Sequence, residues 1–474
     1  MLSNTLRSRA LASPGGRVTA ILVALCLVCA WGAVALAGTK TGIALALLVA
    51  LGPIAAYVAL TAPIVFPFAL YLVMIPFDNL VAIESFGTLT KLLGIASAAA
   101  IAIRLMTSRR HVVPDKAVLS WVPFLLLSLA SLAWATDAMS GLSIVLSLLQ
   151  LFALYVLLAF TPIDRKALGI IVTAIIVGAV IAGTYGAYLF HSGLDTSSEG
   201  RVFVNTGSRM IDPNHFAAAL ILPLGLALTV FVEAKRLSIR FFGLISFALI
   251  GLGMLVAGSR GGLVSASFMV AYMIWRSHKR AMIIGLTVAG AGIGLAAFGN
   301  IVARFNEIAD TGGAGRLGIW RVALVAFSRH PILGAGAGNF SIAYNDAFLS
   351  VPAFSAMKIV EAAHFTIAPH NNLVWIGVEL GAVGLVAFLY AWWKQFRALR
   401  VVPERSDLYP LRVAIEGAII GQFVCGFFLG TLIYKYLWLA FMLAMIVRNA
   451  ELDKGGLARE NVVSPVLQTA ARRS

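Results

Sequence analysis

The sequence alternates between long apolar runs and short polar segments along its whole length. The apolar runs have about 17 to 25 residues, the length that an α-helix needs to cross roughly 30 Å of hydrocarbon. Lipid favours helices because their backbones satisfy their own hydrogen bonds, and a run such as 167–190 lacks the alternation of a transmembrane β-strand. The pattern predicts about fourteen spans, at residues 18–37, 41–61, 63–77, 88–106, 117–135, 140–160, 167–190, 213–233, 239–258, 261–276, 281–300, 371–393, 411–430 and 432–448. The proline-rich third segment and the short tenth segment also fit re-entrant structures.

Composition supports one membrane domain without an independently folding soluble part. Apolar residues make up 60% of the 474 positions and charged residues only 12%, whereas roughly a quarter of an ordinary globular chain is charged. We therefore predict an all-α polytopic transmembrane helix bundle of about 12–14 spans. Its predicted parts are N-terminal transmembrane helices (1–300), a long extracytoplasmic loop (301–370), C-terminal transmembrane helices (371–448) and a cytoplasmic tail (449–474). The loop contains an amphipathic helix candidate at Leu317 to Phe327.

The distribution of basic residues predicts the orientation in the membrane. The formal net charge is +16, but most lysines and arginines lie in short loops between apolar runs, which is a topology signal and not a nucleic-acid surface. With the basic N-terminus in the cytoplasm, the alternate loops that carry the excess of Lys and Arg are also cytoplasmic. Both chain ends are then predicted to be cytoplasmic.

Three predicted outside regions break this rule because they carry arginines. Guanidinium groups pair bidentately with phosphate oxygens, so an anionic ligand explains arginines on the translocated side most simply. Snorkelling to lipid headgroups is the alternative explanation. The arginines concerned are Arg201, Arg209, Arg260, Arg304, Arg316, Arg321 and Arg329.

Several other polar residues near the long loop are candidates for chemistry. His370 lies where the loop enters a predicted span, and a neutral imidazole there can take a proton from a hydroxyl nucleophile. Its alternative role is to cap the helix start, although Asn371 could do this by itself. Glu379 falls inside the same span, either as a functional carboxylate or as one held protonated or paired in the bundle. Glycine-rich residues 334–339 are interpreted as a turn because no strand precedes them, and the irregular spacing of Glu361, His364 and His370 predicts no metal site.

Four segments in one order resemble the O-antigen ligase and O-antigen polymerase superfamily of bacterial lipid-linked glycan transferases. The resemblance extends over about 120 residues, from Arg260 to Gly381, and each segment alone is less specific than the ordered set. The segments are Ser259-Arg260-Gly261, Gly315 to Trp320, His330 to Phe340 and His370 to Leu373 with Glu379-Leu380-Gly381. Residues 212–217, Asp-Pro-Asn-His-Phe-Ala, resemble a further segment of the family.

The resemblance implies a C-type glycosyltransferase-like membrane fold in the bacterial inner membrane. It implies transfer of a glycan from undecaprenyl pyrophosphate to a hydroxyl on the periplasmic side, with lipid A core or a growing glycan as acceptor, and without cofactor, metal or nucleotide sugar. By motif, His370 matches a histidine that assists the acceptor, and Arg316 and Arg260 match arginines that hold the pyrophosphate. Arg321 is a further pyrophosphate candidate, and Arg209, Asn371 and Glu379 are candidate supporting residues.

The acceptor is left open by the sequence. An O-antigen ligase, a polysaccharide polymerase and a protein O-oligosaccharyltransferase share the same donor chemistry. A transporter or flippase is the alternative from another class, for which inverted repeats and polar residues at mid-membrane are expected. A structural or assembly subunit without an active site is the remaining alternative.

Overall fold

The fold is that of a helix bundle, in a computed structural model that describes residues 52–78, 82–83, 87–108, 110–193, 201–205, 210–297, 316–348 and 367–454. Fifteen helices occur in these ranges: α1 (Gly52–Thr61), α2 (Ile64–Phe77), α3 (Leu89–Thr107), α4 (Leu119–Ala133), α5 (Ala138–Phe160), α6 (Arg165–His191), α7 (Pro213–Glu233), α8 (Leu237–Ala257), α9 (Arg260–Arg276), α10 (Arg280–Ala297), α11 (Arg316–Arg329), α12 (Phe340–Phe348), α13 (Asn372–Ala398), α14 (Tyr409–Cys425) and α15 (Lys435–Lys454). Two small antiparallel hairpins pair β1 (Ala82–Ile83) with β2 (Gly87–Thr88) and β3 (Val204–Asn205) with β4 (Met210–Ile211).

Six of the described helices are long and apolar enough to cross a membrane: α3, α5, α6, α7, α8 and α13. The predicted all-α polytopic bundle is therefore confirmed. Helices α1 and α2 are bent by 108° relative to each other, as in a broken span or a re-entrant loop. Residues 1–51, which include predicted span 18–37, and the tail from 455 onwards lie outside the described residues, so the total number of crossings stays a prediction.

Helix α15 forms the centre of the bundle. From Leu437 to Val447 every side chain is at most 3% exposed, because the helix is apolar on all sides and packs against neighbours all round. Trp438 stacks near Trp121 of α4 with ring centroids 4.9 Å apart. Large apolar side chains on the outer helices, such as Met139 and Val386, are instead exposed, as expected for a surface that lipid covers.

A loop between α11 and α12 enters a break in α13. The break lies at Gly381, whose φ is 65°. The amide of Ala335 donates to the Val378 carbonyl at 2.9 Å, and that of Gly336 donates to the Glu379 carbonyl at 2.8 Å. The predicted turn at 334–339 is confirmed, and we call this segment the glycine loop.

The glycines of this loop are required by its backbone and by its close contacts. Gly334, Gly336 and Gly338 all have positive φ, which residues other than glycine rarely adopt. A Cβ on Gly334 would lie 2.3 Å from the Glu379 carbonyl carbon. The glycine loop thereby fixes the position of α11 relative to α13, whose first turn follows His370.

Candidate functional site

The starts of α7, α9, α11 and α15 meet at one end of the bundle, together with the residues just ahead of α13. Asp212 caps α7, and Arg260 and Arg316 are the first residues of α9 and α11. Arg260 and Asp212 act electrostatically on Arg316, and Arg316 and Asp212 act on His370. Helix starts carry partial positive charge and open N–H groups. This end of the bundle is therefore suited to an anionic group.

Arg316 is held in an unfavourable position for a cation. Burial, followed by the charge of Arg260, lowers the pKa of Arg316, and Asp212 opposes this change. An arginine stays protonated in proteins all the same, so the cost appears as repulsion and lost hydration. A bound anion would relieve both.

Cations at the opposite end of the bundle are arranged differently. There Arg165 pairs with Asp407 at 2.8 Å, and Arg276 pairs with Glu404 at 3.0 Å. Within the described ranges no carboxylate lies at salt-bridge distance from Arg316. Arg316 is therefore not part of a structural ion pair within the described ranges.

The hairpin that carries Arg260 is anchored to α7. Helix α8 ends at Gly258 with a left-handed backbone, and Ser259 caps α9 by accepting from the Gly262 amide at 3.2 Å. The Ser259 hydroxyl also donates to the Asn214 side-chain oxygen at 2.9 Å, and Arg201 donates to the same oxygen at 3.0 Å. Asn214 thus joins the hairpin and the 201–205 segment at the start of α7.

His370 has the left-handed backbone conformation that is uncommon for residues other than glycine, with φ of 48°. The capping role belongs to its neighbour, because the Asn371 side chain accepts from the amides of Leu373 and Val374 at 2.8 and 3.2 Å. Trp320 of α11 donates to the Pro369 carbonyl at 3.2 Å. His370 therefore does not cap α13, and it lies near Arg316.

Asn372 secures the other side of this turn. Its side-chain nitrogen donates to the Thr431 hydroxyl, and its side-chain oxygen accepts from the Thr431 backbone amide, both at 2.7 Å. The strained backbone of His370 is therefore maintained by hydrogen bonds on two sides, an arrangement that is concentrated at functional sites.

The protonation of His370 suits a base. Burial, followed by the charge of Arg316, lowers the pKa of His370 from its ordinary 6.5, and Asp212 acts in the opposite direction. The imidazole is therefore neutral at neutral pH and can accept a proton.

Other predicted residues lie apart from this cluster or outside the described ranges. Arg321 is exposed on α11, and none of the described electrostatic contacts of the cluster includes it. Glu379 is 5% exposed and accepts a hydrogen bond from the Phe340 amide at 3.1 Å, so it holds the glycine loop. Arg209 lies outside the described residues.

Four further residues of the site were not predicted as site residues: Asp212 and His215, which lie in the family-like segment 212–217, and Tyr434 and Tyr436. His215 Nδ1 lies 2.9 Å from the Tyr436 hydroxyl, and its ring stacks on Tyr434 with centroids 4.0 Å apart. His215 and Tyr436 are 221 positions apart, so no local spacing connects them. A usable signal was present, since two predicted outer helix starts each carry a polar cluster, 212–215 and 434–436.

Comparison with known proteins agrees with this arrangement. Residues 245–389 match the family model described as O-antigen ligase. A comparison with curated proteins finds no match. The matched range contains Arg260, Arg316 and His370, the three predicted residues that the structure brings together. The match over residues 245–389 supports the O-antigen ligase superfamily for this chain.

Proposed function

We propose that this protein transfers a glycan from an undecaprenyl-pyrophosphate carrier to a hydroxyl acceptor on the periplasmic side of the bacterial inner membrane. The family supports a role in lipid-linked glycan transfer for polysaccharide biosynthesis. The observation that carries the proposal is the convergence of Arg260 and Arg316 with a neutral His370 at one end of the bundle. Phosphate-directed cations beside a base are the groups that this reaction needs.

The proposed reaction is a displacement at the anomeric carbon of the donor glycan. The acceptor hydroxyl gives its proton to His370 while its oxygen bonds to the anomeric carbon. The bond between that carbon and the pyrophosphate oxygen breaks, and undecaprenyl pyrophosphate leaves with one more negative charge. Arg260, Arg316 and the nearby helix starts stabilise this charge, and losing one such donor raises a barrier by about 3 kcal/mol or more.

Purified protein supplied with a lipid-pyrophosphate glycan and candidate acceptors tests the proposal. We expect transfer by the wild type and loss of at least about two orders of magnitude in rate for His370→Ala and for Arg316→Ala. His330→Ala and Arg280→Ala are matched controls, because both side chains are exposed and lie outside the cluster. Turnover in both site variants at the rate of their controls would refute the mechanism.

The same assay separates the possible acceptors. Long-chain product from donor alone identifies a polymerase, whereas product that requires a lipopolysaccharide core identifies a ligase. Product formed only on a protein hydroxyl identifies a protein O-oligosaccharyltransferase.

A further inference from the structure

A small chamber lies beside the cluster of cations and His370. Its volume is about 180 Å³, and its polar wall consists of Asp78, Asp212, His215, Tyr434 and Tyr436. The remaining wall is apolar and is formed by Ile75, Pro76, Ile211 and Ala219. A ring-shaped polar molecule with apolar faces fits such a lining better than a lipid chain or an ion.

Charge divides the site into two regions. Arg260 and Arg316 supply the cations, whereas the chamber is lined by Asp212 and by Asp78, which pairs with Lys435 at 2.7 Å. The two guanidinium groups therefore attract a pyrophosphate more strongly than the chamber does. The chamber therefore suits an uncharged part of the substrate whose hydroxyls donate to carboxylates.

His370 connects the two regions. It lies within electrostatic range of both Arg316 and His215, and Asp212 acts on both histidines. A hydroxyl that projects from the chamber towards the cations would therefore meet the proposed base.

The walls of the chamber are held firmly. Lys435 donates to both oxygens of Asp78, at 2.8 and 2.7 Å, and this ties α15 to the end of α2. Tyr434 is stacked on His215, which is itself within hydrogen-bond distance of Tyr436. Asp212 uses one oxygen, Oδ1, to accept from the Asn214 amide at 2.7 Å. Among the described residues, none donates to its second oxygen.

We propose that this chamber binds one sugar ring of the acceptor, with Tyr434 packing against the ring and Asp212 accepting from its hydroxyls. The assignment rests on the proposed function and adds the place where the acceptor is held and the residues that shape that place. Tyr434 and Ala219 are then specificity-determining residues, since they set the shape of the chamber without touching the reacting atoms.

Two changes to the chamber wall test this assignment by initial rates at varied donor and acceptor concentrations. Tyr434→Leu removes the aromatic face, and Ala219→Leu fills part of the volume from the apolar side. We expect each to raise the KM for a saccharide acceptor by at least about tenfold, with the KM for the donor unchanged within about twofold. Tyr434→Phe keeps the ring face and should raise the acceptor KM less than Tyr434→Leu does. Tyr390→Leu on the exposed surface of α13 is the matched control.

The outcomes are distinguishable from failure of the proposed function. If the wild type transfers no glycan from the lipid pyrophosphate, the proposed function itself fails. If the wild type is active but both leucine variants leave the acceptor KM within twofold, the chamber assignment is wrong. A rise in donor KM alone would also overturn it, because the ring bound there would then belong to the donor. Equal thermal unfolding temperatures of the variants and the wild type exclude misfolding as the cause of a KM change.

Discussion

At the scale of single residues, the site depends on a few side chains whose environments set their chemistry. His370 is kept neutral by burial and by Arg316, while Asp212 limits this effect. Arg316 is kept beside a second cation, Arg260. The sequence predicted His370, Arg316 and Arg260 as site residues. Arginines on the translocated side are unexpected from the rule for membrane topology, and a histidine at a helix start is not explained by helix propensity.

The opposing action of Asp212 leads to a prediction for the pH dependence of catalysis. In the proposed reaction neutral His370 accepts the proton, so kcat/KM should fall as the pH decreases through its pKa. Replacing Asp212 by asparagine removes a charge that raises this pKa. The acidic limb of the pH profile should therefore move to lower pH in Asp212→Asn, whose amide can still cap α7.

Initial rates of transfer measured across the acidic range check this shift. Glu404→Gln, at the opposite end of the bundle, should leave the limb where it is in the wild type. A limb that moves to higher pH in Asp212→Asn would contradict the assignment of His370 as the base.

At the scale of elements, the glycine loop and the break in α13 are the features that sequence reasoning reached only in part. The turn was predicted from Gly334 to Asn339, and an amphipathic helix was predicted where α11 forms. The insertion of the loop into α13 was not predicted. Glu379 was therefore interpreted as a possible functional carboxylate. Its hydrogen-bond donor, the Phe340 amide, lies 39 positions earlier, and no local pattern in the sequence indicates this pairing.

Close packing of the loop predicts a stability effect at Gly334. Its φ of 71° is unfavourable for alanine, and a Cβ would collide with the Glu379 carbonyl carbon at 2.3 Å. Gly334→Ala should lower the free energy of unfolding by about 2 to 4 kcal/mol. Thermal unfolding of the purified protein in detergent measures this loss.

Gly285→Ala provides the matched control, because it lies in α10 and, apart from its own helical turn, no described atom lies within 4 Å of an added Cβ. That substitution should be neutral or stabilising by up to about 1 kcal/mol, as alanine favours a helix over glycine. Equal unfolding temperatures for the two variants would show that the loop does not hold α13.

At the scale of the whole molecule, the bundle separates two ends with different polar chemistry. At one end Lys279 pairs with Glu233 at 2.8 Å, and at the other the Lys435–Asp78 pair lies beside the arginine and histidine cluster. The all-α bundle was predictable because apolar runs of membrane length are a strong signal. The proximity of Asp212, His215 and Tyr434 was not predictable from the sequence, because residues from distant helix starts come together only through packing.

The separation of the two ends predicts opposite accessibility across the membrane. In a variant with Cys26, Cys29 and Cys425 replaced by alanine, an impermeant maleimide added to spheroplasts should label Ala368→Cys near the cluster. His278→Cys, exposed at the opposite end, should be labelled only after the membrane is permeabilised. The reverse pattern would place the cluster in the cytoplasm, where the proposed donor glycan is not presented.

Binding of the donor tests the central claim most directly, namely that Arg260 and Arg316 hold a lipid pyrophosphate beside His370. The measurement is the equilibrium Kd of undecaprenyl-pyrophosphate glycan for the wild type, Arg260→Ala, Arg316→Ala and His370→Ala in nanodiscs. We predict a Kd at least about tenfold higher for each arginine variant, since each loses a charge-assisted hydrogen bond. His370→Ala should bind the donor as tightly as the wild type. Equal donor affinity in all four proteins would contradict the account.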